Sequence, residues 1–132
     1  AFGIAHIKDG KLVGPDFVTL ELYTLPQDQG FAKNMAYITT NTKKAWTLLD
    51  PSTRCFYWLQ GYNRNGAFPD EDSLAKIQVP SYDLVKGNAR SDGLLIFNWA
   101  RGTPQGPSKG SKWMPKVAAQ HKIIGKAMGV GV

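Results

Sequence analysis

The chain is poor in the residues from which active sites and metal centres are usually built. It has one cysteine, Cys55, which excludes an internal disulfide framework and leaves the redox compartment open. Its two histidines, His6 and His121, lie near opposite ends of the chain. With no His-x-His or Cys-x-x-Cys spacing beside them, no structural zinc site is expected. No Gly-Lys-Ser/Thr phosphate loop occurs, since the glycine-rich stretch 101–112 lacks both that spacing and a strand-to-helix step before it. No cofactor is expected.

Long apolar runs are missing as well. Stretches such as Leu94-Leu95-Ile96-Phe97 reach four residues, far short of the ~20 that a spanning helix needs, so membrane insertion is not expected. No charged stub followed by an apolar stretch begins at Ala1-Phe2-Gly3, so no secretory leader is expected in these residues. The most telling absence is at the other end: residues 101–132 contain no acid at all.

The chain has 132 residues, 42% apolar and 20% charged, which is one domain's worth of sequence with enough material for a hydrophobic core. Its net charge is +6. Residues 1–100 hold ten basic and ten acidic side chains and are neutral, so the whole excess comes from Arg101, Lys109, Lys112, Lys116, Lys122 and Lys126. A neutral body with a basic arm suits an anionic partner: nucleic acid (RNA or single-stranded DNA), an acidic protein surface or an anionic lipid.

Alternation of apolar and polar residues dominates the body. Asp9-Gly10 supplies the positive φ angles of a two-residue hairpin turn between Phe2–Ile7 and Leu12-Val13. Phe17–Leu25 and Arg54–Tyr62 read as strands, the second with Cys55, Tyr57 and Leu59 on one face and Phe56 and Trp58 on the other. Met35–Thr40, Lys43–Leu49, Leu74–Val79, Tyr82–Lys86 and Gly93–Trp99 read as further strands, and Asp70-Glu71-Asp72 as a solvated acidic loop. The expected fold is therefore an all-β sandwich or small barrel of seven to eight strands over residues 1–100. A basic Gly/Pro linker over 101–114 and one short helix, about 115–129, complete the arm. Val117, His121, Ile124 and Met128 share a stripe of that helix, with Lys122 and Lys126 opposite.

Catalysis finds no foothold. Cys55 has aromatic neighbours and no evident base, and both histidines fall on apolar patterns, so no enzyme is expected. Aromatics interleaved with cations are the signal that remains. Phe56, Tyr57, Trp58 and Tyr62 lie near Arg54 and Arg64, and Trp113 stands between Lys112 and Lys116. Two functions follow. The first is a self-assembling, coat- or capsid-type subunit of a particle or filament, in a virion or the cytoplasm. Its arm would reach copies of itself through Trp113, Val117, Ile124 and Met128, or nucleic acid through the six basic residues. The second is a free single-stranded nucleic-acid-binding β-barrel.

Overall fold

A computed structural model describes residues 6–64, 68–100 and 102–130. It opens with the expected hairpin, β1 (His6–Lys8) and β2 (Lys11–Val13), turned by Asp9 at φ 50° and Gly10 at φ 74°. The rest departs from the all-β expectation. The fold is mixed α/β: β3 (Phe17–Leu22), α1 (Phe31–Leu48), β4 (Arg54–Gln60), α2 (Glu71–Lys86), β5 (Ser91–Phe97) and α3 (Pro115–Ala127). Strands β3, β4 and β5 form a parallel sheet in that order, through two consecutive strand–helix–strand crossovers.

The strands expected over Met35–Leu49 are α1. The run Thr39, Thr40, Thr42 favours extended structure by local preference, but the stripe that α1 buries is Asn34, Ile38 and Thr42. Two of those three are polar, so a helical period in hydrophobicity is nearly invisible. Asn34 is inside for a reason: its Oδ1 accepts the Leu25 N–H at 3.2 Å, tying the exit of β3 to the helix.

The strands expected over Leu74–Lys86 are α2. Its buried positions Leu74, Ile77, Gln78, Ser81 and Val85 follow a helical spacing. Pro80 sits inside and removes one ladder hydrogen bond, which typically costs about 3 kcal/mol; burial of Leu74, Ile77 and Val85 offsets it. The acidic trio is no loop. Asp70 is the N-cap, its Oδ1 accepting from Ser73 N at 2.8 Å, and Glu71 and Asp72 occupy the first turn at the positive end of the helix.

The helices line one face of the sheet. Cys55, Tyr57 and Leu59 of β4, Leu22 of β3, Ile38 of α1 and Leu74, Ile77 and Val85 of α2 form one core, which Met114, Val117 and Ile124 complete from the C-terminal segment. The Tyr57 hydroxyl is held at 3.0 Å from Trp46 Nε1 and 2.9 Å from Ser91 Oγ, linking α1 to β4 and β5. No described helix is long and apolar enough to cross a membrane.

Residues 102–114, rich in Gly and Pro, form a strap across the end of the sheet. Gly102 bridges Lys109 and Gly110 bridges Tyr62, while Lys112 N donates to Trp99 O at 2.9 Å. At Gly102 φ is +71° and a Cβ would fall 1.8 Å from the Ser108 carbonyl oxygen, so the position requires glycine.

Candidate nucleic-acid interface

Strand periodicity sends alternate residues of β3, β4 and β5 away from the helices. On that open face stand Phe17, Thr19 and Glu21, then Arg54, Phe56 and Trp58, then Gly93, Leu95 and Phe97. Among the described residues no helix or strand is stacked over them. Phe17 is 59% exposed and Leu95 46%.

The rings on this face are in contact. Phe17 meets Phe56 edge to face at 5.6 Å between centroids, and the Phe56 ring lies against Gly93, where a Cβ would come within 2.8 Å of it. Trp58 meets Phe97 at 5.1 Å, Phe97 meets Tyr62 at 5.7 Å, and Tyr62 meets Tyr23 at 5.8 Å. Between Phe56 and Tyr62 the chain advances roughly 20 Å, at about 3.3 Å per residue. The aromatic row thus runs from the middle of the sheet to the end where β3 and β4 leave it.

Polar contacts hold that end. Gln60 Oε1 accepts from Thr24 N at 2.9 Å and from Thr24 Oγ1 at 3.1 Å. Arg64 Nη2 donates to Thr24 O at 3.2 Å, which places a guanidinium near the Tyr23 phenol. Asn63 receives the strap, its N–H donating to Lys109 O at 3.0 Å and its Oδ1 accepting from Lys109 N. Lys112 Nζ lies 4.7 Å from the centroid of the Trp113 ring.

Charge is uneven over the face. Arg54 is paired with Asp92, and their hydrogen bond holds the Asp92 carboxyl below its usual range and the guanidinium above its own. Glu21 is an acid on the face itself. Burial raises the Tyr23 phenol far above its ordinary value, with Glu21 and Tyr62 adding to the shift and Arg64 opposing it, so the ring stays neutral.

The six basic residues singled out by the sequence do not form one patch. Arg101 lies outside the described residues. Lys109 and Lys112 are on the strap, at the end of the aromatic row. Lys116 is at the N-terminus of α3, where its Nζ donates to Asp72 Oδ1 at 2.6 Å. Lys122 and Lys126 are exposed on α3, in the helix layer behind the sheet. Of the residues expected to meet neighbouring copies, Val117 and Ile124 are in the chain's own core, and Trp113 has its indole N–H buried without a partner among the described residues. Met128 is 43% exposed. Tyr57 faces the core, whereas Phe17, Tyr23 and Phe97 join the row unforeseen; their partners are distant in sequence, so only strand pairing could have found them.

Among the described residues no three His, Cys, Asp or Glu side chains gather where a metal ion could sit. No protein-family model matches the chain, and neither a curated protein nor a solved structure is significantly similar to it.

Proposed function

We propose that the chain binds single-stranded nucleic acid, RNA or DNA, laying bases on the open face of β3–β5 with phosphates toward the strap. The observation that carries this reading is the row Trp58–Phe97–Tyr62–Tyr23, each residue partly exposed, ending at Arg64 and the lysine-bearing strap. Every base has a π-face, and stacking on an aromatic side chain is worth about 1–3 kcal/mol per base. The net charge of +6, all of it from residues 101–132, supports an anionic partner. Titration with oligothymidylate, oligouridylate and a duplex of equal length tests it. Single strands bind more tightly, Trp58→Ala and Phe97→Ala each weaken them about tenfold or more, and Lys109→Gln with Lys112→Gln reduces the salt slope. Equal binding of duplex and single strand, or ring variants without effect, sinks the proposal.

A second reading, a self-assembling coat-type subunit, is favoured by the same face, on which Phe17 and Leu95 are exposed. It would stack sheet on sheet between copies. Native mass measurement at rising concentration tests it: a particle, filament or dimer that Phe17→Glu dissolves supports it, and a monomer throughout removes it.

A further inference from the structure

Strand β5 is an outer edge of the sheet: among the described residues its one strand neighbour is β4. Gly61 N–H donates to Phe97 O, so the main-chain groups of Phe97, and of Leu95 two residues before it, turn toward β4. Those of Leu94 and Ile96 therefore turn outward, and no main-chain group meets them among the described residues. Sheets usually blunt such an edge with lysine, proline, a bulge or a covering segment. From Gly93 to Phe97 there is no charge and no proline, and the register shift at Cys55–Phe56 lies before this stretch. Leu95 and Ile96 are 46% and 39% exposed. The other edge strand, β3, carries Glu21.

An open apolar groove runs beneath the β5 edge. Leu94 and Ile96 form one bank; Gly125, Met128 and Val130, at the end of α3, form the other. Met128 shares a second groove with Ser91 and Gly93, near the start of β5, whereas His121 and Ile124 share theirs with Ile96. Helix α3 therefore runs opposite to β5, with Lys122 toward the Ile96 end.

We propose that β5 pairs antiparallel with β5 of a second copy of this chain, about a two-fold axis through Leu95. Leu94 of each copy then exchanges main-chain hydrogen bonds with the partner's Ile96, which satisfies the outward groups of both. The same pairing lays each Ile96 side chain beside the partner's Leu94 and Met128, so apolar surface meets apolar surface over the groove. A pair centred on Leu94 would instead set the Asp92 carboxylate against the partner's Ile96. The axis also turns the Asp92 end of each strand toward the Lys122 end of the partner's α3, opposite charges at both margins. A second copy fits because such a contact is isologous: one surface supplies both halves. The product is a six-stranded sheet in which the two open faces are continuous. The pairing does not depend on the nucleic-acid reading. It buries the edge and not the open face, unlike stacking of sheet on sheet.

Sedimentation of the full chain over a range of concentrations measures it, and the wild-type chain is a dimer in equilibrium with monomer. The two Leu95 side chains meet across the axis on the open face. Leu95→Lys sets like charges opposite each other there and weakens the dimer at least about tenfold, with the circular-dichroism spectrum unchanged. Leu95→Cys is the companion variant. An opposed pair without mutual hydrogen bonds has its Cα atoms about 4.5 Å apart, within the range that a disulfide spans. Mild oxidation links that variant into a covalent dimer, while Cys55, 0% exposed, leaves the wild-type chain unlinked. Phe17→Glu, on the open face, leaves this dimer intact. A wild-type chain that is monomeric at every concentration leaves the edge to an extended peptide of another protein and overturns the inference. So does a dimer that Leu95→Lys fails to weaken, or that Leu95→Cys fails to link.

Discussion

The Glu71 carboxylate accepts a hydrogen bond from the main-chain N–H of Lys116 at 2.6 Å, so the first turn of α2 caps the first turn of α3. The neighbouring Asp72 takes the Lys116 ammonium, and that hydrogen bond holds its carboxyl below the usual range. Met114, at the N-cap position of α3, offers no side-chain oxygen, so α3 takes its cap from another helix.

Glu71→Ala should therefore loosen α3 rather than α2, whose own cap is Asp70. The expected loss is about 1 kcal/mol in urea unfolding, with faster amide exchange at Lys116, Val117 and Ala118. Unchanged exchange there would mean that α3 is held by its packing alone.

Removal of residues 101–132 should abolish cooperative unfolding. Met114, Val117 and Ile124 are at most 3% exposed and sit in the one core. Each contributes about 1.5–3 kcal/mol, together comparable with the whole stability of a small domain. A truncated chain that still unfolds in one sharp transition would show that β3–β5, α1 and α2 suffice.

The sequence displays some of this and conceals the rest for identifiable reasons. Asp9-Gly10 announces its hairpin, and the β4 alternation correctly separates Cys55, Tyr57 and Leu59 from Phe56 and Trp58. Pro115 marks the start of α3. By contrast, Ala75, Ile77 and Val79 alternate like a strand, and Pro80 is an unusual residue inside a helix. The helix-start signal Asp70-Glu71-Asp72, preceded by Pro69, was the better guide to α2. In α1 the buried stripe is carried by Asn34 and Thr42, which hydropathy does not register. The aromatic row is a product of register: Phe97 pairs with Gln60 and Leu95 with Trp58 across the sheet, neighbours that no local pattern joins.

Stability should fall as the solution is acidified from about pH 6.5 to about pH 4, through His121. Unfolded, the imidazole takes a proton at its ordinary 6.5; folded, burial delays it to about 4. Between these values the unfolded chain binds more protons, so the loss grows as pH falls and is complete below the lower one, at about 3 kcal/mol. Urea unfolding at neutral pH and at about pH 5 measures it. His121→Gln, which cannot titrate, should flatten that limb; an unaltered limb would put the sensitivity elsewhere.

Glu21 is an acid on the open face and repels any strand laid there. Glu21→Gln should tighten single-strand binding severalfold at low salt, with the gain shrinking as the screening length contracts toward ~10 Å at 0.1 M. A variant that binds no better at any salt would place the phosphates away from β3.

The strap folds back on itself where Gly102 meets Lys109, leaving Thr103, Pro104 and Gln105 exposed at its tip. A protease nick at that tip would sever the chain without freeing either piece. Upstream, Asn63 and Trp99 still grip Lys109 and Lys112; downstream, Met114, Val117 and Ile124 stay in the core. The molecule thus carries a natural seam. Expressed as two fragments divided there, it becomes a complementation pair whose reassembly depends on concentration, with α3 the half that is supplied in trans.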